Sequence, residues 1–430
     1  MADNFISVEK MAMITNIKVK NVERLLHVDS RDPHTIEGVS MTINSLPNDI
    51  LDKIVYNYKN LFPSKYVLRE WVNAEYLDWQ MLSENPYAID LLNKRIEFEK
   101  NLSKEEYKKL DDNYKINWLK LSKNPAAIDI LKKYPKDIVW CSLCDNTNPS
   151  AVDMILKRVE YEKQLPPYPE HNGNDEYGFY RIWWDRLSCN EHPQIIEMLK
   201  ERIELEKNEE HYITLNANDK IDWVQLSANK NPDAIQLLED NLEKIDWSVL
   251  SGNPAAIELL KANYAKIVWR YLSINPNAFE LIKDRVEYEE SLKTEEYYKL
   301  GIYNRLSWKY LSGNSCAIEL LKANPNRIDW RELTVNPNAI EMLKTKPIGI
   351  CDFDFYVGLC INPNAIEILK ENKDLIIWKY LSCNPNALEL LKERAEYENT
   401  LTHEKYMNLG SNNRIDWKEL SRHKTIFKIV

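Results

Sequence analysis

Glycine is scarce in this chain. It occurs nine times in 430 residues, where ordinary usage of about 7% would give about thirty. A fold built on many tight β-turns is therefore disfavoured, since the common hairpin turns draw on glycine. The same shortage leaves no phosphate-cradling loop, and neither a G-x-S-x-G elbow nor an H-E-x-x-H helix occurs. Long apolar runs are missing too. No stretch approaches the ~18 uncharged apolar residues of a membrane span. The opening MADNFISVEK has neither the basic start nor the apolar core of a secretion signal. An intracellular protein with seven reduced cysteines is the expectation. An excess of positive charge is also lacking: 57 Lys and Arg against 67 Asp and Glu leave a formal charge of −10, which argues against nucleic acid as the partner. The seven histidines are dispersed. No catalytic residues, cofactor or metal are expected.

What the chain does have is tryptophan, thirteen of them, with twenty-four tyrosines. Most of the tryptophans fall in a repeat. Setting IDWSVLSGNPAAIELLKANYAK beside IVWRYLSINPNAFELIKDRVEY gives W-x-x-L-S-x-N-P-x-A-I-x-L-L-K. Twelve copies follow, with the aromatic at Trp79, Trp118, Trp140, Trp184, Trp223, Trp247, Trp269, Trp308, Trp330, Tyr356, Trp378 and Trp417; we number the units 1 to 12 in that order. Leu stands three residues after every aromatic. The next position is Ser in nine units, Thr334 in one, and Cys144 and Cys360 in two. Asn stands six residues after the aromatic in eleven units, and His423 in the last.

In seven units the residue before the aromatic can cap a helix: Asp78, Asn117, Asp222, Asp246, Ser307, Asp329 and Asp416. A short helix carrying the aromatic and the Leu follows. Asn-Pro then predicts an N-cap and first turn of a second helix, whose Ala256, Ile257 and Leu260 share a face in unit 6. Neither helix is long enough to persist alone in water. Stacking of neighbours would bury the aromatic and aliphatic faces, so the expected fold is all-α: an elongated solenoid of about twelve short helical hairpins with the twelve aromatics in its core.

Aromatics are 22 residues apart in the shorter units and 39 where text such as KRIEFEKNLSKEEYKKL is inserted. These insertions predict lengthened hairpins projecting as ridges. Four segments result: a non-repeat stretch at 1–42, a capping or docking helix at 43–65, the solenoid at 66–421, and a C-terminal cap at 422–430.

The lone Cys-x-x-Cys, Cys141 and Cys144, has the spacing of a zinc knuckle or a redox pair. Register gives it a plainer meaning. Cys144 takes the slot that serine fills elsewhere, and no second ligand pair lies at zinc-site spacing.

The repeat closely resembles those of tandem-repeat proteins encoded by giant DNA viruses of amoebae, the mimivirus-like group, over roughly residues 66–421. The missing catalytic motifs, the negative charge, the absence of an apolar span and the solenoid together lead to a non-enzymatic interaction or scaffold protein acting on a protein partner and on neither membrane nor nucleic acid. The resemblance implies a setting in the host cytoplasm or the virion. Separately, LPNDILDKIV (Leu46 to Val55) is similar to the start of an F-box. It implies a second possibility, a substrate receptor that docks a ubiquitin-ligase adaptor through Leu46, Pro47 and Ile50.

Overall fold

The computed structural model describes residues 66–164, 181–208, 212–213, 215, 217–344 and 351–429. The segments expected at 1–42 and 43–65 therefore lie outside the described residues, Leu46, Pro47 and Ile50 among them. Residues 68–427 make one compact unit, while 1–67 and 428–430 are assigned to another. The described residues hold 26 α-helices and almost no strand: only β1 (Tyr66–Leu68) and β2 (Phe427–Ile429), paired with one another. The expected all-α solenoid of helical hairpins is what the chain forms.

Each unit opens on a first helix of one to three turns, such as Trp79–Leu82 or Trp247–Gly252. All seven expected capping residues cap: each side chain accepts a backbone N–H in the first turn. The Asn-Pro expectation needs correction. Second helices begin at the proline only in units 3, 4 and 5, at Pro149, Pro193 and Pro232, behind Asn148, His192 and Asn231. In units 1, 2, 6, 7, 9, 10 and 11 the proline lies in a turn, and the helix starts after a buried alanine with no side-chain cap, as at Ile89, Ile128 and Ile257; units 8 and 12 have no proline there.

The Asn six residues after the aromatic is spent on another task. Its Oδ1 accepts the N–H two residues on, as Asn253 does from Ala255 at 3.0 Å. Its Nδ2 reaches back to the preceding unit and donates to two carbonyls there. Asn253 bonds Ser227 at 3.0 Å and Asn229 at 2.8 Å, and Asn275 in turn bonds Ser251 and Asn253. The same pair of bonds recurs at Asn124, Asn146, Asn190, Asn229, Asn314, Asn336, Asn362 and Asn384. These are buried amides, and a buried polar group without partners would cost more than it contributes.

Serine makes the second link. All nine serines of the repeat donate Oγ–H to the aromatic residue's carbonyl within their own helix, at 2.7–3.0 Å. Each Oγ also accepts the N–H of the residue before the next aromatic, at 2.9–3.1 Å. One hydroxyl thus ends one helix and starts the next.

The array does not stay open. Ser421 of unit 12 accepts the N–H of Asp78 in unit 1 at 3.0 Å, and Asn85 donates to the carbonyls of Ser421 and His423 at 2.8 and 3.2 Å. These are the bonds of every internal junction, made across the ends of the array. Arg69 adds two more: its N–H donates to Ile426 O and its side chain to Thr425 O, both at 2.9 Å. Trp71 packs 6.3 Å from Trp417. Residues 68–427 therefore close into a ring, correcting the elongated array. The tail from 422, expected as a cap, presents carbonyls across the seam: His423 to Asn85 of unit 1, and Thr425 and Ile426 to Arg69 ahead of that unit.

Spacing also decides which layer is inside. Successive first helices pack closely wherever units are 22 to 26 residues apart, whereas second helices do so only between Pro193–Glu206 and Pro232–Glu239. In a closed ring the more tightly spaced layer is the inner one, so the first helices line the inner circumference.

The rungs give a measurable expectation. Asn253→Ala leaves two buried carbonyls and one N–H without partners and should cost at least about 2 kcal/mol. His423→Asn supplies the amide that the junction between units 11 and 12 lacks and should gain about 1 kcal/mol. Urea midpoints of the two variants, moving in opposite directions, check both.

Candidate interaction surface

The twelve sequence-predicted aromatics do not occupy equivalent depths. Trp269, Tyr356 and Trp417 are buried; the other nine are half-buried. The deepest positions belong to the Leu three residues later, fully buried in every unit from Leu82 to Leu420, and to the Ser, Thr or Cys after it. The aromatics roof this core.

In six units an arginine covers that roof: Arg327 lies 4.8 Å over Trp308, and the other five belong to the units with inserted hairpins. Arg95, Arg158, Arg202, Arg285 and Arg394 lie 4.5–5.0 Å over the rings of Trp79, Trp140, Trp184, Trp269 and Trp378, within the range of a cation–π contact. Each pairs with the glutamate four residues on: Glu99, Glu162, Glu206, Glu289 and Glu398. Those carboxylates accept the N–H of Ile116, Ile182, Ile221, Leu306 and Ile415, two residues before the next aromatic. The inserted hairpins expected to stand as solvated ridges are thus clamped at their bases. Burial raises the pKa of Glu99, Glu162, Glu206 and Glu398, against the opposing pull of their arginine and N–H partners. The signal was present in the sequence as R-x-E-x-E, repeated in all five insertions.

The cysteine pair fits its register. Cys144 Sγ lies 3.3 Å from the carbonyl of Trp140, where serine hydroxyls sit in other units, and Cys360 Sγ accepts the N–H of Ile377 at 3.4 Å. Burial pushes the thiols of Cys141 and Cys144 up, and that of Cys360 to about 11. A thiol held protonated is a poor nucleophile and a poor metal ligand. Among the described residues no group of three His, Cys, Asp or Glu is placed to hold a metal.

Thr334 is the odd member of the serine column. Its hydroxyl turns to the carbonyl of Arg331 at 2.6 Å. Room for its branched side chain comes from Gly358 in the next unit, where an added Cβ would lie 1.7 Å from the hydroxyl.

What remains of each first helix is a stripe at one, two and five residues after the aromatic, which reaches solvent in most units; Met81, Cys141, Ser142 and Gly358 are its buried members. The frame uses the aromatic, the Leu, the small residue and the Asn, so these three positions are free to differ, and they do. Unit 5 has Val224, Gln225 and Ala228; unit 6 has Ser248, Val249 and Gly252; unit 7 has Arg270, Tyr271 and Ile274; unit 8 has Lys309, Tyr310 and Gly313. Sequence reasoning passed over this stripe because it looks for sameness, and the stripe is defined by its differences. Compared with known proteins, the chain matches no family model, no curated protein and no solved structure.

Two substitutions test the assignment of frame and roof. Leu250→Ala should cost about 2–5 kcal/mol, as removal of a fully buried leucine does, and Trp247→Ala less, because its ring is partly solvated. Cys141→Ser combined with Cys144→Ser should leave the thermal midpoint within the spread of ordinary surface changes, since serine already makes the bonds of the second slot. Thermal melts followed by circular dichroism measure all three.

Proposed function

We propose that the ring is a binding scaffold for another protein, presented on the inner stripe of first helices. One observation carries this reading. Three columns of the repeat, the Leu, the small residue and the Asn, are nearly constant and buried under a constant, mostly half-buried aromatic, while three adjoining columns vary from unit to unit and reach solvent in most units. A purely structural ring would gain nothing from twelve different surfaces. A recognition surface requires them, because specificity comes from side chains placed differently along a rigid frame. Aromatic and basic side chains on the stripe, Tyr271, Tyr310, Tyr380 and Arg270 among them, are those that contribute most at protein interfaces.

The resemblance of the repeat to giant-virus proteins supports a viral setting, in the host cytoplasm or the virion. The second proposal, a ligase receptor, rests on the F-box likeness of residues 46–55, with Leu46, Pro47 and Ile50 docking the adaptor and the ring holding the substrate. In both, the inner stripe is where the bound protein sits.

Photo-crosslinking amino acids at inner positions Val224, Lys309 and Lys418, compared with outer positions Glu258 and Glu367, distinguish the faces in the native host cell. A shared protein adduct from the inner set, absent from the outer set, is the expected result. Adducts from the outer set alone, or none from the inner set, would overturn the assignment.

A further inference from the structure

The inner stripe is not uniform around the ring, and its asymmetry speaks to the chemistry of the partner. One residue after the aromatic, units 7, 8, 9, 11 and 12 carry Arg270, Lys309, Arg331, Lys379 and Lys418; Val357 of unit 10 is the exception. In units 1 to 6 the same position holds Gln80, Leu119, Cys141, Asp185, Val224 and Ser248, with no base among them. All five bases of this column thus fall in one half of a chain whose overall charge is −10; the bases at the other two stripe positions, Lys120, Lys123 and Arg186 in the first half and Arg422 in unit 12, each pair with a carboxylate. Lys309 pairs with Glu332 at 3.4 Å, and Arg270 lies 5.2 Å over the ring of Tyr310. Arg270, Arg331, Lys379 and Lys418 have no carboxylate partner among the described residues. Lys309, Arg331 and Lys418 are exposed.

Where this basic arc begins, the stripe dips. Ala228, Val249, Gly252, Pro254, Tyr271 and Ile274 border an open depression of about 330 Å³, lined mainly by apolar atoms. Ile274 is about half exposed, at 47%. Tyr271 stacks on Tyr303 at 6.3 Å, which steadies that wall. An apolar seat next to a row of unneutralised cations is a composite surface. Neither part alone specifies much; together they ask for one apolar anchor followed by negative charge.

We infer that the ring binds an acidic protein segment, seated by an aliphatic or aromatic side chain between Val249, Gly252 and Tyr271 and running along Arg270, Arg331, Lys379 and Lys418. The inference rests on the protein-binding reading above and names the class of partner. Cations spaced along an arc would orient such a segment and speed its encounter, while the anchor would slow its departure. Nucleic acid is the less favoured polyanion: Glu332 and Glu419 lie on the same arc, and the seat is apolar.

The test is selection of random sixteen-residue peptides on the full chain, followed by fluorescence anisotropy with the enriched peptides and with a single-stranded thymidine oligonucleotide. Enriched peptides should be net negative and carry Leu, Ile or Phe. Arg331→Glu with Lys379→Glu and Lys418→Glu should weaken them at least tenfold. Gly252→Leu should do the same, because a Cβ there meets only an ordinary contact with the Tyr271 carbonyl, at 3.7 Å, and so fills the seat without strain. On the wild-type protein, affinity should fall with rising salt and on replacing the peptide's acids by amides; these measurements stand even where a variant fails to fold. Neutral or basic peptides, no enrichment, indifference to salt and to acid-to-amide exchange, or tighter binding of the oligonucleotide would each overturn the inference. If crosslinking has placed a partner on the inner stripe while the selected peptides are not acidic, the inference falls and the protein-binding reading stands.

Discussion

Everything in this ring hangs on a problem of helix ends. A helix of four to six residues has almost as many unsatisfied backbone groups as satisfied ones, and eleven of the twelve first helices are this short, each buried on one side. The serine hydroxyl and the asparagine amide solve the problem by making each unit complete its neighbour. Serine takes the N–H that precedes the next helix; asparagine gives its two amide protons to carbonyls of the previous unit. The units are therefore not hairpins that fold and then stack. A unit separated from its neighbours leaves its own carbonyls bare and its asparagine idle, so cooperativity is built into the hydrogen bonding as well as into apolar burial.

This constraint explains the choice of residues. Alanine would fill the serine slot by volume but offer no acceptor; threonine adds a methyl, and the one threonine present needs Gly358 opposite it. Cysteine alone comes close, being small and able to take the N–H weakly, and it is the substitute at Cys360. Aspartate at the asparagine slot would accept but not donate, stranding two carbonyls. Such columns cannot drift, and what drifts is the solvent-facing stripe beside them.

Much of this was legible in the sequence, within a clear boundary. The twelve units, the helical class and the seven caps at Asp78, Asn117, Asp222, Asp246, Ser307, Asp329 and Asp416 rest on interactions two or three residues apart, which periodicity reports well. The asparagine was misread because its decisive partners lie 22 to 46 residues back; local rules found it a plausible N-cap and stopped there. The tryptophans were assigned to the core because the repeat keeps them, whereas in six units they form a layer with arginine over the true core of leucine. The inner stripe left no periodic signal at all. Closure was beyond reach for a further reason. It depends on every junction turning by an average of one-twelfth of a circle, a sum of small angles that no single unit encodes.

Closure also changes what the ends of the repeat are for. An open solenoid needs terminal units with a polar outer face, or a covering element, to shield the apolar side of its last hairpin. Units 1 and 12 have no such free side: Leu82 and Leu420 are as buried as the leucines between them, and Trp71 and Trp417 pack together across the seam. The twelfth junction costs no new device, since Ser421 and Asn85 make the bonds their counterparts make elsewhere. Only the asparagine of unit 12 is missing, with His423 in its place and its carbonyl given to Asn85. The rung that is lost therefore lies one junction before the seam, between units 11 and 12. The seam itself keeps its full set and gains the two Arg69 bonds. The repeat array is reinforced where its first and last units meet, and the frame around the variable inner stripe has no loose end from which to fray.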